Sequence, residues 1–179
     1  DLKGWSGLDV TVINDGLDLE THYSDERIKT HEPTPRPRFV WYGLAGNRIS
    51  LYSAFAYLER LHANGYKFEL LVIDDDPNKV IDAPYPVIHW RWSLEREIEM
   101  ITSADIALLP PYPGPWGRVK SQNKAATAWA MGLPVTDGQD YAELIALLDW
   151  RRRAEQGAEA RAWALAGWDC RRTAAEWTG

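Results

Sequence analysis

Asn123-Lys124-Ala125-Ala126-Thr127-Ala128-Trp129-Ala130-Met131-Gly132-Leu133-Pro134-Val135 is the stretch on which the reading of the fold turns. Small and apolar residues run up to Gly132, which supplies a helix stop, and Leu133–Thr136 continues as a short apolar strand before the turn Asp137-Gly138. Read upstream, the same pattern predicts a helix over Val119 to Met131.

The segments on either side repeat the alternation. Phe39-Val40-Trp41-Tyr42 predicts a strand running into the glycine-bearing turn Gly43-Leu44-Ala45-Gly46-Asn47-Arg48. Leu51, Phe55, Leu58 and Leu61 are spaced for a helix over Ile49 to Ala63, stopped by Asn64-Gly65. Phe68–Ile73 and Val87–Trp90 read as strands, the first closed by Asp74-Asp75-Asp76-Pro77. Leu94–Ser103 reads as an amphipathic helix with Ser93 as its N-cap, and Asp105–Leu109 as a buried strand closed by a proline-rich loop. Downstream, helices are expected over Tyr141–Leu148, Trp150–Gly167 and Asp169–Trp177. At the other end, Leu8–Ile13 alternates as a short strand ending at Asn14-Asp15-Gly16, and a polar, proline-bearing connector follows to Arg38. Strands that are apolar throughout and separated by helices predict a doubly wound α/β domain, a Rossmann-like parallel sheet covered on both faces.

The bulk numbers agree with one such domain. The chain has 179 residues, 45% hydrophobic and 26% charged, the composition of a globular protein with a substantial core. Its formal net charge of −6 argues against a protein that coats nucleic acid or a membrane surface. One cysteine, Cys170, allows no internal disulfide, and no run approaches the roughly 20 apolar residues of a bilayer span. The expected location is cytoplasmic, and a first residue other than Met suggests a piece of something longer.

In open parallel sheets ligands bind beyond the carboxyl ends of the strands, and three segments fall there. Gly43, Gly46, Asn47 and Arg48 lie on a turn whose glycines let backbone approach a phosphate, with Arg48 adding charge. Trp116–Lys124 places Arg118, Lys120, Ser121, Asn123 and Lys124 at the expected start of a helix. Cations oppose the helix dipole there, so their clustering makes sense if a polyanion docks among them. Asp137–Tyr141 offers the backbone amides of Gly138 and Gln139. The four histidines are scattered without metal-ligand spacing, and the three aspartates before Pro77 read as a strand end, so no metal is expected.

The order of these pieces resembles the C-terminal domain of retaining GT-B glycosyltransferases, in particular group 1, family 4. Five stretches carry the resemblance. Val12–Asp18 is similar to the linker entering that domain, Phe39–Arg48 to its first strand and glycine turn, and Ser103–Pro110 to its small-Ala-Asp-aliphatic-Pro strand. Asn123-Lys124 with Ala128–Val135 is similar to its helix and Gly-hydrophobic-Pro-Val strand, and Trp168-Asp169 to its chain end. Two places depart: Thr127 stands where the family carries a ribose-binding Glu, and the paired upstream Glu of the motif is missing from the loop Gly117-Arg118-Val119-Lys120.

The resemblance implies a linker and first strand over residues 1–37, a nucleotide-sugar-binding domain over 38–149 and packing helices over 150–179, forming one structural domain. It implies a nucleoside-diphosphate sugar as donor substrate rather than a cofactor, and a hexosyltransferase inactive as the isolated half, in polysaccharide biosynthesis. Arg48 and Lys124 would contact the diphosphate, with Lys120 beside them. Thr127 would lie near the ribose, and the catalytic groups are not identified. The partner would be a missing N-terminal, acceptor-binding domain, through which alone a membrane could be met; no nucleic acid is expected. Two alternatives stand beside it: a nucleotide- or partner-binding module that has lost catalysis, and a different α/β protein of receiver or epimerase type.

Overall fold

The structure, a computed structural model, describes residues 13, 15–76, 78, 80–118 and 120–178; nearly all of the strand expected over Leu8–Ile13 lies outside them. Five strands form one sheet: β1 (Arg38–Tyr42), β2 (Glu69–Asp74), β3 (Val87–Arg91), β4 (Ile106–Leu108) and β5 (Val135–Thr136). The order is β3-β2-β1-β4-β5 and every pairing is parallel. Residues Arg38 to Tyr42 of β1 align with Glu69 to Ile73 of β2, while Phe39 and Val40 align with Ile106 and Ala107 of β4 on the other side.

Alternation along the strands explains why they are apolar throughout. Successive side chains point to opposite faces, and here both faces are covered. Phe39, Trp41, Leu70, Val72, Ile106 and Leu108 share one core with Leu58 and Leu61 of α2 (Phe55–Ala63) and Leu144 of α5 (Tyr141–Ala146). Val40, Tyr42, Leu71, Ile73 and Ala107 share the other with Met100 and Ile101 of α3 (Glu97–Thr102), Ala128 and Ala130 of α4 (Asn123–Ala130) and Ala164 of α6 (Trp150–Gly167). This is the doubly wound α/β architecture.

Several boundaries differ from the periodicity reading. The helix after β1 begins earlier, as the short α1 (Arg48–Leu51), and passes through a 3-10 turn at Tyr52–Ala54 before α2. Ser93 does not cap: its hydroxyl bonds the Glu95 carboxylate at 2.5 Å, and the segment opens as a 3-10 turn, Leu94–Arg96. Helix α4 starts at Asn123 rather than Val119, because Pro115–Arg118 forms a separate 3-10 turn and Lys120 to Gln122 stay outside the helix.

Entry and exit of the described chain lie together. Leu17 pairs with Asp169 in a single parallel bridge just before α7 (Cys170–Thr178), with Leu17 N–H bonded to Trp168 O at 2.7 Å and Cys170 N–H to Leu17 O at 2.9 Å. Among the described residues no helix is long and apolar enough to cross a membrane.

Candidate functional site

Strand order reverses direction between β1 and β4: the chain adds β2 and β3 on one side, then returns to add β4 and β5 on the other. At such a switch the loops leaving the two central strands part in opposite directions and open a crevice. Here the crevice is bordered by the turn after Tyr42, the proline-rich loop after Leu108 and the start of α4.

Lys124, in the first turn of α4, sends its side chain across the crevice onto β1. Its amine packs against Gly43, where any Cβ would collide with Nζ and lie 3.1 Å from Cε. The same amine sits 4.9 Å from the centre of the buried Trp41 ring. One residue before Gly43, the buried Tyr42 donates from its phenol to the Lys124 backbone carbonyl at 2.5 Å. The end of β1 therefore holds both the backbone and the amine of this residue. Among the described residues no carboxylate pairs with Lys124. Burial, and secondarily the nearby Lys120 charge, pull its pKa down to about 8.

Lys120 spans the mouth of the same crevice. Its ammonium donates to Asn47 Oδ1 on the β1 turn at 3.3 Å and lies 4.0 Å over the Tyr112 ring on the β4 loop. Two cations thus face one cleft, neither paired with a carboxylate among the described residues. That arrangement is unfavourable until an anion enters.

The other expected ligand groups are used differently. Arg48 is turned inward at 1% exposure, its Nε on the Asp74 carboxylate at 2.5 Å and its Nη2 on the Asp76 carbonyl at 2.6 Å. A buried Asp74 needs this partner, so Arg48 braces the β1 and β2 loops and does not line the cleft. The glycine turn already holds an anion of its own: Asp75 Oδ1 accepts the Ala45 N–H at 2.7 Å, the leading cause of the lowered Asp75 pKa. Gly46 is exposed with open space around it. The amides after β5 are spent locally, Gly138 N–H on Thr136 Oγ1 at 3.1 Å and Gln139 N–H on Asp137 Oδ1 at 2.8 Å.

Of the rest, Ser121 is exposed beside Lys120. Asn123 donates to the Asp15 carboxylate while its buried Oδ1 has no partner in the structure. Thr127 is half-buried and lies near the Tyr23 phenol. The structure thus gathers Gly43, Asn47, Lys120 and Lys124 at one place, and leaves Arg48 in a packing role. It adds Trp41, Tyr42 and Tyr112, and also Asp75, which the sequence reading took only as part of a strand end. Asp75 alone had a usable signal, because the loop after β2 must lie beside the loop after its neighbour β1.

No family model matches the chain, and no curated protein matches it. Among solved structures the fold is similar to that of TarM, a glycosyltransferase of GT-B type, with a TM-score of 0.64 at 12% identity. The match takes in 99% of this chain and 40% of the length of TarM. The chain accordingly has the α/β fold of one Rossmann-like half of a GT-B glycosyltransferase.

Proposed function

We propose that this chain is the donor-binding half of a glycosyltransferase, holding a nucleoside-diphosphate sugar by its diphosphate in the crevice between β1 and β4. The single observation that carries the reading is the pair Lys120 and Lys124, facing one cleft at the switch point without a carboxylate partner among the described residues. Similarity of the fold to TarM supports the reaction class.

In glycosyl transfer the bond between the sugar and the diphosphate breaks, and negative charge grows on the departing phosphate. Two ammonium groups fixed before the reaction stabilise that charge more than they stabilise the intact donor, which lowers the barrier. Gly43 allows the Lys124 amine to lie flat on the backbone, and Lys120 closes the opposite side from the β4 loop. The acceptor and the remaining catalytic groups belong, in this reading, to a second domain facing the crevice.

The test is a melting-temperature screen of the chain against UDP, GDP, ADP and their sugars at millimolar concentration. At 1 mM ligand a Kd of about 10 μM stabilises by about 2.7 kcal/mol and raises the midpoint by several degrees, while a Kd of about 1 mM gives about 0.4 kcal/mol and a shift of roughly one degree. No shift with any of the three nucleotides would remove the donor role and leave only the fold.

A further inference from the structure

Lys124 differs in its surroundings from the other lysines whose positions are described. Lys29 is ion-paired with Asp105 at 3.3 Å, and Lys67 is exposed to water. Lys124 has an indole ring on one side, the bare backbone of Gly43 beneath it, and a second ammonium as its nearest charge. An amine partly withdrawn from water and set beside a like charge holds its proton weakly, which is how a lysine becomes a nucleophile. With its pKa near 8, a sizeable fraction of Lys124 is neutral at physiological pH. Lys120, on the mouth of the same cleft, is placed to hold an anionic group on whatever molecule the amine meets.

We propose that Lys124 is a covalent site for phosphorylated aldehydes, its side-chain amine forming an imine with the carbonyl while Lys120 holds the phosphate. The step is balanced without oxidant or reductant. The amine lone pair attacks the carbonyl carbon and forms a C–N bond, and the C=O π pair moves to oxygen, which takes up the proton released by nitrogen. The resulting carbinolamine loses its hydroxyl with the second amine proton as water, giving the C=N bond; hydrolysis reverses it. The proposal uses the crevice but does not depend on a nucleotide sugar being its natural ligand. Occupation of Lys124 would remove one of the two cations that a diphosphate needs, so an imine there would block donor binding.

Pyridoxal 5′-phosphate is the probe. The chain is incubated with it at pH 7.5, the imine is reduced with borohydride, and the modified lysines are mapped by peptide mass spectrometry. Lys124 is expected to label about tenfold faster than Lys67, the gain in neutral amine being partly offset by its lower basicity. Pyridoxal without the phosphate labels Lys124 more slowly, and Lys120→Gln reduces the difference between the two probes. Lys124→Arg removes this label and leaves the others in place. Equal labelling of all lysines, or an unmodified Lys124, would overturn the proposal. Adding UDP separates it from the donor reading. Protection of Lys124 supports both. Labelling that is selective for Lys124 but indifferent to UDP supports the covalent site and counts against the nucleotide.

Discussion

Replacing Lys124 by methionine removes a half-buried charge that has no carboxylate partner among the described residues. The aliphatic stem and the contact with Trp41 survive in Met, while the cost of keeping an ammonium in that place does not. The expected result at pH 7 is a melting temperature raised by roughly 2–6 °C together with loss of nucleotide binding. A residue kept only for packing would not improve the fold when neutralised, so a lowered midpoint in a calorimetric scan would count against a binding role. Arg48 predicts the opposite behaviour. Its removal as Arg48→Ala leaves Asp74 buried and uncompensated, at a cost of about 3–5 kcal/mol. Urea denaturation of Arg48→Ala and of Arg48→Met with Asp74→Asn should show the double variant to be the more stable of the two.

These two cations also show where sequence reading stops at this scale. An arginine after a glycine turn looks the same whether it reaches into a cleft or back to a strand end 26 residues away. Only the parallel pairing of β1 with β2 brings Asp74 beneath it. Lys124 was legible because it follows from local order: a glycine-stopped helix, with its start at the carboxyl end of the sheet.

At the level of elements, α6 is the least conventional. Its buried positions are Arg153, Gly157, Arg161 and Ala164, spaced for one helical face yet charged at two of four places. Both arginines terminate other helices. Arg161 donates to the Ala130 carbonyl at the end of α4 at 2.7 Å and to Asp25 at 2.9 Å. Arg153 donates to the carbonyls of Leu147 and Leu148, just past α5, at 3.0 and 2.8 Å. They satisfy acceptors that a helix end would otherwise leave bare, and do so from a neighbouring helix.

Gly157 lets α6 touch the turn after α4, since a Cβ there would collide with the Gly132 carbonyl oxygen and approach His31 Nε2 at 2.9 Å. Arg161→Met is expected to lose roughly 3 kcal/mol, and Gly157→Ala at least about 1 kcal/mol, in denaturant titrations. Gly157→Ala should act by parting α6 from α4, so chemical-shift changes in the α4 amides would accompany it. Unchanged stability in Gly157→Ala would show that the two backbones can separate freely. Its alanine- and arginine-rich composition located α6 from Trp150 to Gly167 but could not reveal this face, because a buried stripe made of arginines has no apolar signature. The start of α4 was misplaced for a related reason: Val119 to Gln122 contains nothing that forbids a helix, and the break comes from the 3-10 turn before it.

For the molecule as a whole, acid stability follows from two histidines. Burial is the main cause that lowers the pKa of both His31 and His89 below 6.5, with the Lys29 and Arg153 charges adding at His31 and that of Arg48 at His89. The unfolded chain therefore binds protons at these positions before the folded chain does. Their contribution to stability is complete above about pH 6.5 and is lost as pH falls from there through the lower folded values. Circular dichroism melts should give a midpoint that rises only by about a degree from pH 7 to 8, as Lys124 loses its proton, and declines below 6.5, and His31→Gln should reduce the slope of that decline. A midpoint that rises on acidification would contradict the burial of neutral histidines.

The layout at this scale was the most legible of all. Runs such as Phe39–Tyr42 and Phe68–Ile73 are apolar on both alternating faces because α1, α2 and α5 cover one side of the sheet and α3, α4 and α6 the other. The crevice follows from the strand order, and with it the neighbourhood of Gly43, Lys120 and Lys124. What remained hidden was which polar groups the protein spends on itself, since pairs such as Asp75 with Ala45 and Arg48 with Asp74 form only once distant segments pack. The central claim is that the two lysines of the crevice await a diphosphate, and calorimetric titration with UDP, GDP and ADP measures it directly. The expected result is micromolar-to-millimolar affinity for at least one of them, reduced at least about tenfold by Lys124→Met and by Lys120→Gln, a loss of some 1.4 kcal/mol each. Absence of binding at millimolar nucleotide, or binding of equal strength in both variants, would contradict it.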